Sequence, residues 1–362
     1  DADSDNSEGL LEEGAYYVWK KDELNTLLTA DFEMFSNYYN INNYGLWEDD
    51  HYVLIRRDDD EAFVAQNSLT FAELKAKKEQ WRKILSKART DRDKPRLDDK
   101  SLTSWNALML KGYVDAYRVL NDPNYLDSAK RNANFIVNNQ LREDGGLNHN
   151  YKDGKSSING YLEDYAATIE AFLVLYEATL NETWLNTARD LANYSFDHFF
   201  DDKSKLFFFT SDQDDLLVTR SIDYRDNVIP SSNSIMAKNL FKLSHYFDHS
   251  YFRNTARTML NNVRPEINEY ASGFSNWMDL MLNYSDPYYE VAISGEEAMT
   301  KIRELNVRYI PNKLIIGSTQ ESSLALLKNR YVPDETLIYV CVNKACKLPV
   351  RHTDEAINLL SE

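Results

Sequence analysis

A short string recurs three times in this chain, as Tyr125-Leu126-Asp127-Ser128-Ala129, Trp184-Leu185-Asn186-Thr187-Ala188 and Phe252-Arg253-Asn254-Thr255-Ala256. The period is roughly sixty residues, enough for a helix hairpin and its connections, and a repeat of that kind commits the chain to stacking like units. Each copy lies in an amphipathic segment that follows a more apolar one, at 107–120, 165–180 and 235–247. Asn121-Asp122-Pro123-Asn124 stops one helix and restarts the next with proline in the first turn. Asn181-Glu182-Thr183 and Asp248-His249-Ser250 occupy the same place in the later copies. An apolar inner arm and an amphipathic outer arm make an αα-hairpin, and a ring of such hairpins is an α/α toroid. A last helix, Glu266 to Tyr284, is expected to be the inner arm of one more pair.

Each inner arm is preceded by a polar lip. The first is Asp98-Asp99-Lys100-Ser101-Leu102-Thr103-Ser104-Trp105-Asn106, the second Gly160-Tyr161-Leu162-Glu163-Asp164-Tyr165, the third Pro230-Ser231-Ser232-Asn233-Ser234. Between repeats lie β-hairpin signals: 146–151 turning at Asp153-Gly154, and Lys205 to Thr210 returning as Leu216 to Arg220. These hairpins join outer helices to lips, so lips and hairpins share one end of the assembly and form one wall of a common mouth.

Ahead of the repeats, Asp22 is expected to cap a helix through Leu28, Phe32 to Tyr39 forms a second helix, and Gly45 to Ile55 is extended. Thr70 caps a surface helix from Phe71 to Arg89 that buries Leu74, Trp81 and Leu85. Beyond Ser285-Asp286-Pro287 the period changes. Short β-rich runs at 289–293, 313–316 and 336–342 alternate with helical segments Glu296 to Leu305 and Glu321 to Lys328, which predicts a small parallel-sheet lobe. The boundaries are therefore a partial toroid over 1–284 with hairpin insertions and a small α/β lobe over 285–362. Gly295 is followed by Glu296 and Glu297, which oppose a phosphate at that helix start.

Charge decides between classes of partner. With 58 acidic against 41 basic residues the formal charge is −17, which repels phosphate backbones and anionic lipid, so neither nucleic acid nor a membrane is expected as partner. Cys341 and Cys346 are too few to staple a chain of this size, and Cys-x4-Cys is not the redox Cys-x-x-Cys spacing; reduced, strand-embedded thiols and a cytoplasmic location are expected.

In this order, Asp1-Ala2-Asp3-Ser4, Glu12-Glu13-Gly14-x-Tyr16-Tyr17-Val18-Trp19, Leu97-Asp98-Asp99-Lys100-x-Leu102-Thr103-Ser104-Trp105-Asn106, Gly160-Tyr161-Leu162-Glu163-Asp164-Tyr165-Ala166, Pro230-Ser231-x-Asn233-Ser234 and Tyr339-Val340-Cys341-x-Asn343-x-x-Cys346 resemble the spermatogenesis-associated protein 20-like family. That resemblance runs nearly end to end. It implies a thioredoxin-like domain followed by a toroid resembling six-hairpin glycosidases and N-acylglucosamine 2-epimerases, then a small C-terminal lobe. By this reading the chain begins inside the toroid, and the thioredoxin-like segment and first hairpins are absent, in keeping with three hairpins and a spare arm where six close a ring.

Sugar chemistry needs a protonated acid and a base flanking the reacting carbon. Asp98, Asp99, Glu163, Asp164 and Asp226 are the catalytic candidates. Glu163, set among Tyr161, Leu162 and Tyr165, is expected to have a raised pKa and serve as acid, while Asp99 beside Lys100 stays ionised as base or nucleophile. Substrate contacts are expected from Lys100, Trp105, Asn106, Tyr161, Tyr165, Ser231 and Asn233, with His149 as a general base of the epimerase kind. Against these stands a structural reading in which Asp99 and Asp164 cap helices and the aromatics pack the core. No His-x-x-x-His, Gly-x-Ser-x-Gly or phosphate loop occurs, and neither metal nor cofactor is expected. The sequence thus points to a glycoside hydrolase or sugar epimerase/isomerase type of domain with a sugar or glycan ligand. The alternative is a non-catalytic scaffold serving the thioredoxin-like domain.

Overall fold

A computed structural model of the chain describes residues 3–5, 10–215 and 218–360. It resolves into two compact units, Asp1–Asp99 and Lys100–Glu362, rather than dividing at 284/285.

Among the described residues the first unit is built from two small antiparallel ribbons, four α-helices and a 3-10 turn at Thr29–Asp31. Strands β1 (Asp3–Asp5) and β2 (Leu11–Glu13) pair, as do β3 (Trp19–Lys20) and β4 (His51–Tyr52). Helices α1 (Lys21–Leu28), α2 (Phe32–Tyr39), α3 (Asp60–Asn67) and α4 (Phe71–Thr90) close over Trp19, Phe35, Phe63 and Trp81. The start of α4 is the expected one: Thr70 accepts from the Glu73 amide while the Glu73 carboxylate takes the Thr70 amide at 2.7 Å, satisfying two donors that a helix start leaves open. Asp22 differs from expectation. The helix begins two residues earlier than an Asp22 cap would set it, with no side-chain cap, and Asp22 lies in its first turn, where an acid still complements the helix dipole.

In the second unit, α5 (Thr103–Leu120), α7 (Leu162–Thr179) and α9 (Ser232–Tyr246) are the inner arms, and α6 (Pro123–Asn139), α8 (Glu182–Phe199) and α10 (Ser250–Ile267) the outer ones. Each pair packs as a hairpin and α5, α7 and α9 pack in sequence. The recurring alanines Ala129, Ala188 and Ala256 are all buried, because a small side chain lets outer and inner helices approach closely. Helix α7, flanked on both sides, is buried from Ile169 to Ala178 on nearly every face except Glu170. By contrast, among the described residues α5 packs against only one other inner arm, α7. Trp105 and Val119 on its other side are 66% and 79% exposed.

The end of the repeats departs from the sequence reading. Rather than one helix over 266–284, α10 ends at Ile267 and a 3-10 turn at Ala271–Phe274 leads into α11 (Ser275–Ser285). Asp226 causes the break: its amide donates to Gly273 O at 2.8 Å and its carboxylate takes the Asn276 amide at 2.8 Å, giving α11 its own N-terminus.

Two short β features decorate the mouth end. Strands β5 (Ser101–Leu102), β6 (Asn150–Lys152) and β7 (Lys155–Ser156) form one sheet, with the turn at Asp153-Gly154 as expected. The other hairpin is a correction: β9 (Leu206–Phe207) pairs back with β8 (Phe200–Asp201), not with 216–220. Leu216 and Leu217 of the proposed return strand lie outside the described residues.

The lobe sheet is mixed, not parallel, in the order β11 (Lys313–Ser318), β10 (Tyr289–Ser294), β12 (Leu337–Val342), β13 (Ala345–Cys346). The link from β10 through α12 (Ala298–Asn306) is helical and returns β11 parallel. A parallel return needs such a crossover. The expected helix at 321–328 is instead a run of turns, in which the Ser322 hydroxyl accepts the Leu324 amide and bonds Glu182. Lacking that crossover, β12 enters antiparallel to β10. Leu324, Leu326 and Leu327 drop into the helical core with Ala292, Leu314 and Ile316, while Val291, Ile293 and Ile315 on the other face pack with Ile338, Val340 and Ala356 of α13 (Thr353–Leu359). Side chains that alternate along each strand thus serve two cores.

The cysteines are the last correction. Asn343 and Lys344, both at positive φ, make the two-residue turn between β12 and β13, as type I′ hairpins require. That turn sets Cys341 opposite Cys346, and the two are joined in a disulfide. Spacing alone suggested unpaired thiols; the turn makes them cross-strand neighbours.

Candidate functional site

The site grows from the way the first lip meets the first hairpin. Pairing of β5 with β6 lays Thr103 beside His149, whose carbonyl takes the Thr103 amide at 2.8 Å. The Thr103 hydroxyl donates to Asn148 O at 2.6 Å, and the His149 amide donates to Ile158 O at 2.7 Å. Backbone therefore holds His149 on both sides before its ring makes any contact.

At the neighbouring lip, Asp164 is the third residue of α7 and is fully buried. Its Oδ1 accepts the Ser104 amide of α5 at 2.9 Å. Its Oδ2 accepts the Tyr161 amide and His149 Nδ1, each at 2.9 Å. One carboxylate thus caps its own helix, ties it to the next inner helix and orients the imidazole. Burial pushes the Asp164 carboxyl up, opposed by His149 and the two amides. The same hydrogen bond raises His149 above the ordinary histidine value.

Glu163 precedes Asp164 and faces this pair; one polar atom from each of His149, Glu163 and Asp164 lies within 4.8 Å of the others. Burial pushes the Glu163 carboxyl up, as the sequence led us to expect, and the Asp164 and Asp223 charges add to the rise while His149 works against it. Ser104 completes the group. Its buried hydroxyl makes no hydrogen bond among the described residues, yet it borders Glu163 closely enough to favour the ionised carboxyl. The trio is of the kinds that ligate cations, but Asp164 already accepts three donors and Nδ1 is committed to it. Only Glu163 and His149 Nε2 remain open positions.

Other candidates fall elsewhere or are already engaged. Tyr161 forms the wall, its ring stacked on Phe209 at 5.1 Å and tilted on His149 at 4.8 Å. Tyr165 is core: it stacks on Tyr194 and its hydroxyl accepts the Leu147 amide at 2.8 Å. The Asn106 side-chain amide donates to Leu102 O while its backbone carbonyl accepts from Asn132, and Trp105 is exposed on α5. Asn233 is wholly buried and bonds both the amide and the carbonyl of Phe207 at 2.8 and 2.9 Å. Ser231 caps α9 through the Ser234 amide. The Asp226 carboxylate is filled by the Ser231 amide, the Ser234 hydroxyl and the Asn276 amide. Asp98 and Asp99 lie in the exposed loop that ends the first unit, and Lys100, also exposed, opens the second. A separate cavity of about 600 Å³ in the first unit, near Ser4, Tyr16, His51 and Arg92, contains none of these residues; Arg92 there is consumed by Glu23 and the carbonyls of Ala15, Tyr16 and Val18.

The sequence reading missed Ser104 and Asp223. Ser104 stood in the quoted lip but only its neighbours offered obvious chemistry, and Asp223, which takes the Ser232 amide and hydroxyl, lies in the irregular segment before the third lip.

The lips are contiguous, since Asp164 links the first to the second and the 207–209 segment links the second to the third through Leu162 N to Phe209 O at 2.9 Å. Residues 103–215, which carry the whole His149–Glu163–Asp164 cluster, match the family model of glycosyl hydrolase family 76. The helix hairpins are those of a glycosidase-like α/α toroid. A cellobiose 2-epimerase from Bacillus thermoamylovorans superposes with a TM-score of 0.39 at 14% identity, over 47% of this chain and 46% of that one. Among the described residues no helix is long and apolar enough to cross a membrane. Human spermatogenesis-associated protein 20 is 27% identical over 402 residues, covering 99% of this chain and 51% of that protein; the rat protein is 26% identical, covering 100% and 51%. The chain spans about half the length of the curated relatives it matches. Along essentially its whole length it is similar to the spermatogenesis-associated protein 20 proteins.

Proposed function

We propose that the second unit carries a carbohydrate-active site in which Glu163 and His149 form the acid/base pair and Asp164 is a positioning residue. The observation that carries this is the buried Asp164–His149 hydrogen bond facing Glu163. With Nδ1–H held by Asp164, His149 presents only Nε2 to a ligand. The His149 charge works against the rise of the Glu163 carboxyl, and the Glu163 charge adds to the rise of His149. Glu163 then takes a proton and His149 gives one, the reverse of the assignment suggested by the sequence. Burial strengthens Glu163 as a base by moving its pKa toward neutrality.

The spacing supports proton transfer over hydrolysis. A hydrolase needs two free carboxyl groups about 5–5.5 Å apart or more, across the sugar. Here the second carboxylate is tied into the backbone. Removal of a proton beside a sugar carbonyl by Glu163, with Nε2–H donating to the carbonyl oxygen, uses both open groups. Glycosyl hydrolase family 76 is named for activity on glycosides, which supports a sugar as the ligand.

The test is to incubate the protein with reducing mono- and disaccharides in D2O and follow deuterium entry at the carbon next to the carbonyl by NMR. Incorporation that falls by two to four orders of magnitude in Glu163→Gln is expected. Glycoside cleavage with no deuterium in the sugar would sink the proton-transfer reading.

A further inference from the structure

The lobe holds a second chemically distinctive site. Cys341 is 1% exposed, Cys346 is half-buried, and the guanidinium of Arg330 lies against both sulfurs, with Nη2 at 3.0 Å from Cys346 Sγ and Nη1 at 3.7 Å from Cys341 Sγ. The same guanidinium lies 4.5 Å from the centroid of the Tyr339 ring. Among the described residues Arg330 makes no ion pair; burial disfavours its charge, and the nearby Glu290 carboxylate, which favours it, is engaged by His245 and the Lys344 amide rather than by the guanidinium. A partly desolvated cation ordinarily has an anion beside it. Disulfide sulfur is a weak acceptor and carries no charge.

Reduction would supply an anion in direct contact with the guanidinium. We propose that Cys341–Cys346 is a reversible thiol–disulfide site in which Arg330 stabilises the thiolates, and that it exchanges with an external dithiol. A thiolate of that dithiol attacks Cys346 Sγ, the more accessible sulfur. The S–S bond breaks and Cys341 leaves as a thiolate beside Nη1. The second thiol of the reductant then attacks its own sulfur in the mixed disulfide and frees Cys346 as a thiolate beside Nη2. Two electrons pass to the cysteines, the reductant leaves as its disulfide, and its two protons go to solvent or to the new thiolates.

The surroundings make the step reversible. Glu290, paired in register with Cys341, accepts the Lys344 amide of the turn at 2.7 Å and bonds His245 of α9 at 2.6 Å. The turn is therefore anchored independently of the sulfurs, which keeps the thiols opposed and ready to close again.

The experiment begins with the full chain prepared without reductant, in which denaturing thiol assay should find both cysteines oxidised. Titration with dithiothreitol should release both thiols in one step while circular dichroism stays native. Alkylation of the reduced protein by iodoacetamide across a pH series, read by peptide mass spectrometry, should show Cys346 reacting first with a midpoint below the free-thiol value of about 8.5. Arg330→Met should raise that midpoint and slow alkylation near neutral pH by about tenfold, and Arg330→Lys should recover most of the rate. Free thiols in the unreduced protein, a disulfide that opens only on unfolding, or equal midpoints in wild type and Arg330→Met would each overturn the proposal. If Arg330→Met fails to fold, a wild-type midpoint at or above about 8.5 does so alone.

Discussion

Two buried aspartates stand at the mouths of adjacent repeats and make instructive opposites. Asp226 accepts from two backbone amides and a serine hydroxyl, none of which titrates, and so fastens α9 to α11. Asp164 also accepts from two backbone amides and joins two inner helices, but its third donor is an imidazole. Replacing one serine hydroxyl by one histidine turns a structural clasp into a group that can hold a proton donor at a defined angle. Burial and capping alone do not separate the two roles. The titratable partner does.

The largest effect should fall on chemistry. Glu163→Gln is expected to cut sugar proton exchange by about a thousandfold while shifting the melting temperature by no more than about 2 °C, because the group is only half-buried and caps nothing. A large drop in melting temperature with unchanged exchange would make the α7 mouth another clasp. Next, Asp226→Ala should cost about 3 kcal/mol in urea denaturation, since it strands three buried donors, and turnover per folded molecule should hold. A loss of turnover at full stability would place Asp226 with Asp164.

Intermediate effects concern pH. The folded state raises His149 above its unfolded value, so between the two values the folded chain binds more protons and stability falls as pH rises. The advantage of wild type over His149→Gln should be complete below about pH 6.5 and disappear as pH climbs through the folded His149 value. Asp164→Asn should bring the His149 value down in an NMR titration; no movement would mean that Asp164 does not set it. The smallest effect is expected at Trp105, exposed on α5. Trp105→Ser should change stability by less than about 0.5 kcal/mol and leave exchange unaltered.

Much of this contrast could be read from residues, though not its decisive detail. Glu163 among Tyr161, Leu162 and Tyr165 signalled a raised carboxyl because burial is a local consequence of apolar neighbours. His149 was visible as a histidine in a hairpin at the right end, but nothing local gave its distance from Asp164, fifteen residues on. Asp226 looked as catalytic as Asp164, since the donors that fill it come from residues 231, 234 and 276. The lobe was misjudged for a related reason: strand direction depends on whether the connecting segment can cross over the sheet, and residues 321–328 bury their leucines in the helical core instead.

What the sequence by itself determined is the repeated hairpin: apolar inner arms, amphipathic outer arms, stops at Asn121, Asn181 and Asp248, and alanines where helices meet. These follow from periodicity and capping, which act over a few residues and need no distant partner. Tertiary structure alone decided which carboxylate received a titratable partner, which strands ran antiparallel, and that Cys341 and Cys346 face each other with Arg330 against both sulfurs. Such pairings depend on side chains far apart in the chain arriving within hydrogen-bonding distance, and a helix or strand pattern carries no information about what will stand opposite it.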